Sequence, residues 1–211
     1  MKQCDFIKKL YIFIDKIVRT QNDLTKKWHT NIDFSISDKK TIIQNIINNH
    51  FMNFKLWHAE DIARIPDAPA KSIAQCKREI DLLNKKRTEF YEQIDENFVF
   101  LLKDFIVANP SVPFNTESVG SIIDRLSILS LKIYHMYEEK RRRTSNDSDY
   151  QIITDKLRTL IQQRKDLISA FKNLISEYIN GTKRPIIYKQ LKMYNDKNLN
   201  PALYNESPNQ P

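Results

Sequence analysis

Twelve residues, Asn53 to Arg64, set an amide, an indole, two carboxylates and a guanidinium along one side of a helix, since Asn53, Trp57, Glu60, Asp61 and Arg64 follow at offsets of four, seven, eight and eleven. Trp57 offers a stacking surface, Arg64 a planar fork for carboxylate or phosphate, and Glu60 or Asp61 an acceptor for hydroxyls or for a proton. The same spacing also describes an ordinary helix end with a core tryptophan and a surface Glu60–Arg64 pair. A second set is Asp124, Arg125, Lys132 and His135, within Ser118–Met136. There Ile122, Leu126, Leu129, Ile133 and Met136 form one apolar stripe, while Ile128 and Leu131 point nearly the opposite way. A helix apolar on both sides must be enclosed. Buried charges cost several kcal/mol each unless paired, as an order of magnitude (~), so this helix carries either a polar network or a ligand site. A third set, Lys183, Arg184, Tyr188, Lys192, Tyr194, Asn195 and Asp196, mixes cations with aromatic rings that can clamp a phosphate or stack on a base or sugar.

Familiar signatures are missing. The chain has no glycine-rich phosphate loop, no HExxH, no CxxC and no GxSxG elbow. His29, His50, His58 and His135 show no metal-ligand spacing, and a carboxylate-only set of Glu60, Asp61 and Asp124 is a weak ion signal. No metal and no cofactor are therefore expected.

These residues need helices to position them. The first helix is expected over Asp5 to about Leu24, with Trp28 and His29 near the following turn. A second runs from an N-cap at Asp38 to Arg64 and stops at Ile65-Pro66-Asp67-Ala68-Pro69. A third starts near Pro69 and reaches about Ala108, its heptad stripe interrupted by Arg87. The Ser118 helix, capped by Ser118 or Thr116, frays at Glu139–Arg143, and Thr144 to Asp149 reads as an exposed loop. The next helix covers Asp149 to Asn180, carries Arg164 in its stripe and ends on a left-handed Gly181. The two seam arginines are positioned to face acidic groups of the shorter helices. Pro185 to Tyr194 is expected as a short sixth helix.

With 211 residues, one core suffices, and two glycines and eight prolines leave no punctuation for the turns of a β protein. The expectation is an all-α single-domain bundle over residues 1–204, with a central buried helix near 118–138 and a disordered tail at 205–211. A net charge of +8 and a pI near 9.3 suit an anionic partner. Acidic residues are interspersed almost throughout, which argues against nucleic acid. Cys4 and Cys76 belong to no ligand-spaced pair, so reduced thiols and a cytoplasmic location are expected. The apolar run Leu10–Val18 contains Asp15 and Lys16 and is neither a signal peptide nor a membrane span.

Three segments together, Asn53–Arg64, Gly120–His135 and Lys192–Asp196 with Asn200-Pro201, resemble a bacterial family of helical proteins classified as a domain of unknown function. The chain is more distantly similar to a second uncharacterised family, which shares a Gly-x-Leu-Ile-Asp-Lys-Leu-Thr-Ile-Leu-x-Ile-Lys pattern and a Trp-x-x-Glu-Asp helix. Genes of that second kind often lie among glycosyltransferase genes, which implies a role in lipopolysaccharide or other surface-glycan assembly by association. One departure is Val119, where the family pattern has proline before the glycine. The resemblance supplies no catalytic residues.

The sequence thus points to a three-part polar pocket for an anionic sugar or phosphorylated small molecule. Asp124 or Glu60 is the candidate catalytic acid/base, and Asn53, Trp57, Asp61, Arg64, Arg125, Lys132, His135, Lys192, Asn195 and Asp196 are the candidate ligand-binding residues. Whether a reaction follows binding is left open. The competing expectation is a non-catalytic helical adaptor that docks on a glycosyltransferase, or on a second copy of itself as a homodimer, through its heptad faces.

Overall fold

A computed structural model describes residues 3–39, 41–106, 109–191, 196 and 198–201. Five helices follow one another: α1 (Gln3–Thr30), α2 (Ile42–Ala63), α3 (Ala70–Leu101), α4 (Val119–Arg141) and α5 (Ser148–Ile179). They pack as an all-α bundle without strands among the described residues. No helix among those residues is long and apolar enough to cross a membrane.

Local chemistry sets most boundaries. The Ser118 hydroxyl accepts the Ser121 N–H at 3.2 Å and starts α4, while Gly181, at φ 70°, lies just beyond the end of α5. Three boundaries differ from expectation. Helix α3, expected to reach about Ala108, ends at Leu101, beyond which the Lys103 and Phe105 N–H groups donate to carbonyls three residues back in a series of turns. Helix α2 begins at Ile42 because Thr41, not Asp38, caps it, its hydroxyl accepting the Gln44 N–H at 3.3 Å. Helix α1 continues through Trp28 and His29 to Thr30, since Trp28 is 1% exposed and packs against Phe34, Phe51 and Phe54. Tertiary burial there extends a helix that composition alone would end.

The expected sixth helix is absent over its described part, residues 185–191. Those residues are held extended by partners outside the segment. Just before it, the Arg184 N–H donates to Pro113 O at 2.9 Å, forming a parallel bridge with Phe114. The Gln190 N–H donates to the Glu92 carboxylate on α3 at 2.7 Å, and Lys189 pairs with Glu92 and Glu96. Backbone donors committed to α3 are unavailable for a helical turn. Lys192 to Tyr194 and the tail at 205–211 lie outside the described residues.

Helix α4 touches all four other helices. One apolar cluster joins it to α1, α3 and α5 through Ile14, Ile94, Ile123, Leu126, Phe171 and Ile175. Another joins its Leu131 to Trp28, Met52 and Phe54. Its enclosure is incomplete, since Arg125 and Lys132 remain exposed on one side. The closest approach is to α3, where a Cβ added to Gly120 would stand 2.1 Å from the Tyr91 carbonyl oxygen. Without a side chain, the Gly120 N–H reaches the Asp95 carboxylate at 2.6 Å, so an α3 side chain satisfies one of the free donors of the first turn of α4. Gly120→Ala must push the two helices apart and is expected to cost about 1–3 kcal/mol in urea denaturation, with a larger loss for Gly120→Val.

Candidate functional site

The inward face of α2 carries amides where a bundle helix ordinarily carries aliphatics: Asn45, Asn48, Asn49, His50 and Asn53 are all buried. Three of them meet the polar side of α4. Asn49 and Asn53 donate through Nδ2 to Asp124 Oδ1 at 2.9 and 2.8 Å, and Arg87 of α3 brings its guanidinium to 3.5 Å from the same oxygen. Asn53 Nδ2 also reaches Ser127 Oγ at 3.0 Å. From there the donors run in one direction. The Ser127 hydroxyl lies 2.7 Å from His50 Nδ1, His50 Nε2 lies 3.0 Å from Thr25 Oγ1, and Thr25 donates to Gln21 O at 2.8 Å. These bonds assign His50 as the neutral tautomer protonated at Nε2. Gln21 Nε2 closes the series on Ile123 O at 3.2 Å, returning to α4.

Open space lies on the far side of α4 from this network. A trough between α4 and α5 holds about 810 Å³ and is walled by Trp57, His135, Met136, Ile152 and Leu160. Lys132 and Lys156 stand on it, with Glu139 and Asp155 nearby. Both carboxylates are already matched, Glu139 by Arg142 and Arg143 and Asp155 by Arg158. Hydrogen bonding from Arg143 holds the Glu139 carboxyl below its ordinary range. Neither Lys132 nor Lys156 makes an ion pair among the described residues. A second basin of about 610 Å³ continues past Lys132 to Arg125, which pairs with Glu117 at 2.5 Å.

The sequence-predicted site residues therefore divide. Trp57, Lys132 and His135 line the trough, and Arg125 lines the second basin. Asn53 and Asp124 lie in the buried network, Asp124 being 6% exposed. Glu60 and Arg64 form a 2.9 Å pair at the solvated end of α2, where Asp61 is also exposed. Asn53 to Glu60 spans seven residues, roughly 10 Å of helix, so Glu60 is a turn and more beyond the network. Asp196 accepts the Asn198 N–H at 2.8 Å in a turn, while Lys192 and Asn195 lie outside the described residues. Of the two seam arginines, Arg87 meets an acidic group, whereas Arg164 bonds the Asn22 amide oxygen on α1 at 2.8 Å.

Sequence reasoning missed one cluster. His29, His58 and His135, from α1, α2 and α4, each present a ring nitrogen within 4.8 Å of the others. His29 Nε2 stands 3.3 Å from His135 Nε2, and His29 Nδ1 donates to Thr25 O at 2.7 Å. Trp57 stacks on His135 at 4.5 Å, Tyr134 on His29 at 4.0 Å, and Phe54 meets His29 and His58 edge-on. Burial, followed by the neighbouring histidines, lowers the His135 imidazole to about 4, and burial likewise lowers His58. The only sequence signal was that three histidines fell at the same height of the bundle on separate helices, which requires the packing to be known.

Fold and site together define a class: a five-helix bundle whose central helix carries a hydrogen-bonded carboxylate on its buried side and a trough on the other. Within that class, the chain belongs to the family described as Protein of unknown function (DUF4254), whose model matches residues 43–187, more than half of its length. The match includes α2 and α4 and ends before Lys192. No curated protein and no solved structure matches the chain.

Removing the Asp124 carboxylate strands three donors. Asp124→Leu is expected to cost about 3–5 kcal/mol in urea unfolding, and Asp124→Asn, which keeps an acceptor oxygen, about 1–2 kcal/mol. Two buried groups set the pH dependence in opposite senses. Burial lowers His50 from 6.5 to about 3, so its contribution is complete above 6.5 and is lost as pH falls through that window, roughly 5 kcal/mol in all. Burial raises Asp95 from 3.8 to about 6, so keeping it ionised disfavours the fold above 6 and that penalty fades toward 3.8, roughly 3 kcal/mol. Stability is thus expected to fall on acidification below 6.5, and Asp95→Asn to steepen that fall while raising stability at neutral pH. Urea midpoints measured across the range decide both.

Proposed function

We propose that the protein binds an anionic sugar or sugar-phosphate group in the trough between α4 and α5. The observation that carries this reading is the pair Lys132 and Lys156, two cations without ion-pair partners among the described residues, beside a wide groove walled in part by the apolar Trp57, Met136, Ile152 and Leu160. Lysines so placed attract an anion without having to leave a carboxylate, and Trp57, Met136 and Leu160 give a ring or chain a surface to lie on. Ligand sites combine an apolar lining with a few convergent polar groups in this manner. Glu139, Asp155, Thr159 and Gln163 supply acceptors and donors for hydroxyls. In this reading Asp124 is a positioning residue, because its oxygen holds α2 and α3 against α4 and thereby fixes the wall that bears Trp57 and His135. The choice of a sugar follows the resemblance to proteins whose genes accompany glycosyltransferases, which supports a role in surface-glycan assembly.

The adaptor reading draws less support. Its interfacial seam needed Arg87 and Arg164 turned outward, and both reach partners inside the bundle, on Asp124 and Asn22.

Calorimetric titration with glucose 1-phosphate, inorganic phosphate and glucose tests the proposal. Sugar phosphate is expected to bind more tightly than either fragment alone, and Lys132→Ala or Lys156→Ala to weaken it about tenfold or more, the worth of one charged hydrogen bond. Equal and weak retention of charged and neutral sugars by wild type and both variants would sink it.

A further inference from the structure

The structure assigns His29, His58 and His135 as a binding site for a zinc-class transition-metal ion, held by three imidazoles from three different helices. The assignment stands on geometry. Zinc–imidazole bonds are about 2.0–2.1 Å long, which sets tetrahedral nitrogen ligands about 3.3–3.4 Å apart. The His29 Nε2 to His135 Nε2 separation is 3.3 Å, and a His58 nitrogen completes the set within 4.8 Å. Among the described residues this is the one group of three or more such side chains close enough to share an ion.

The surroundings fit the role. Metal-bound histidine characteristically donates its second ring N–H to a backbone carbonyl or carboxylate, which fixes the tautomer and leaves the other nitrogen's lone pair free. His29 does this through Nδ1 to Thr25 O at 2.7 Å, directing Nε2 to the centre of the cluster. The same Thr25 accepts from His50 through its hydroxyl, so the buried network braces the cluster from below. Stacking of Trp57 on His135 and of Tyr134 on His29 holds both rings in place. An all-imidazole set selects zinc, copper, nickel or cobalt over magnesium or calcium. Three protein ligands leave a fourth position open, the arrangement of sites that hold water or an exogenous ligand, and His135 is also a wall of the α4–α5 trough. The site does not depend on the sugar-phosphate reading, since it uses neither lysine.

Tag-free protein stripped with a chelator is titrated with zinc chloride by calorimetry, and with cobalt chloride by visible absorption. One equivalent of zinc is expected to bind and to raise Tm, cobalt to give the intense visible bands of a four-coordinate site, and magnesium to do neither. His58→Gln and His135→Gln are each expected to weaken zinc at least about 100-fold, beyond the range seen for changes to groups that only support a ligand. Cys4→Ser, which removes an exposed thiol outside the cluster, keeps the affinity. Absence of a one-equivalent site in wild type overturns the assignment, as does equal zinc affinity in the His58 and His135 variants. Imidazole NMR of the wild-type protein supplies a readout independent of variant folding: zinc must shift three histidines together, and perturbation of His50 alone or of none overturns the assignment.

Discussion

One carboxylate oxygen organises this bundle. Asp124 Oδ1 receives two amide donors from α2 and faces a guanidinium from α3, at positions 37 to 75 residues away in the chain. Burying a carboxylate there without partners would be costly, as would burying two asparagines without an acceptor. Each element's burial is thus conditional on the others. The constraint also explains Gly120, one turn earlier. Helix α4 comes close enough to α3 to bring Asp124 beside Arg87 because, at Gly120, only a hydrogen separates its backbone from the Tyr91 carbonyl.

The two sides of α4 do different work with the same residue types. Toward α2, polar groups are enclosed and mostly satisfied by one another; Asn49 Oδ1, Gln21 Oε1 and Arg87 Nε are exceptions, buried with no hydrogen-bond partner, Arg87 meeting Asp124 as an ion pair. Toward α5, the charges of Arg125 and Lys132 reach water, and the apolar residues between them line open space. Rigidity on the first side is what gives shape to the second. His135 and Trp57, stacked at 4.5 Å with their planes within 4°, sit where the two regimes join.

Much of this was legible without coordinates. A charged residue on a helix apolar around its circumference announces burial, and Asp124 is buried. The caps at Ser118 and Gly181 follow from the hydrogen-bonding reach of serine and the conformational freedom of glycine. Legibility ended where partners come from other elements. Asn49 resembles any exposed helical asparagine until α4 supplies its acceptor. Residues 185–191 carry enough apolar character for a helix, yet their donors belong to α3. The division of the candidate site residues has a related cause: residues 124 and 125 are adjacent in sequence but about 100° apart around the helix, so one faces the core and the other the second basin.

The amide-rich inner face of α2 bears on the order in which the molecule assembles. Hydrophobic collapse gathers aliphatic surfaces without regard to direction, and α1, α4 and α5 offer those through Ile14, Ile123, Phe171 and Ile175. Much of α2 offers hydrogen bonds instead, and those have value only when Asp124 and Ser127 already stand at the right distance. The polar contacts of α2, unlike its Phe51, Met52 and Phe54, therefore gain little from a loose, water-filled intermediate and are expected to lock in late, when water leaves the space between α2 and α4. Its amide protons should then report the last step of folding, and its departure the first step of unfolding.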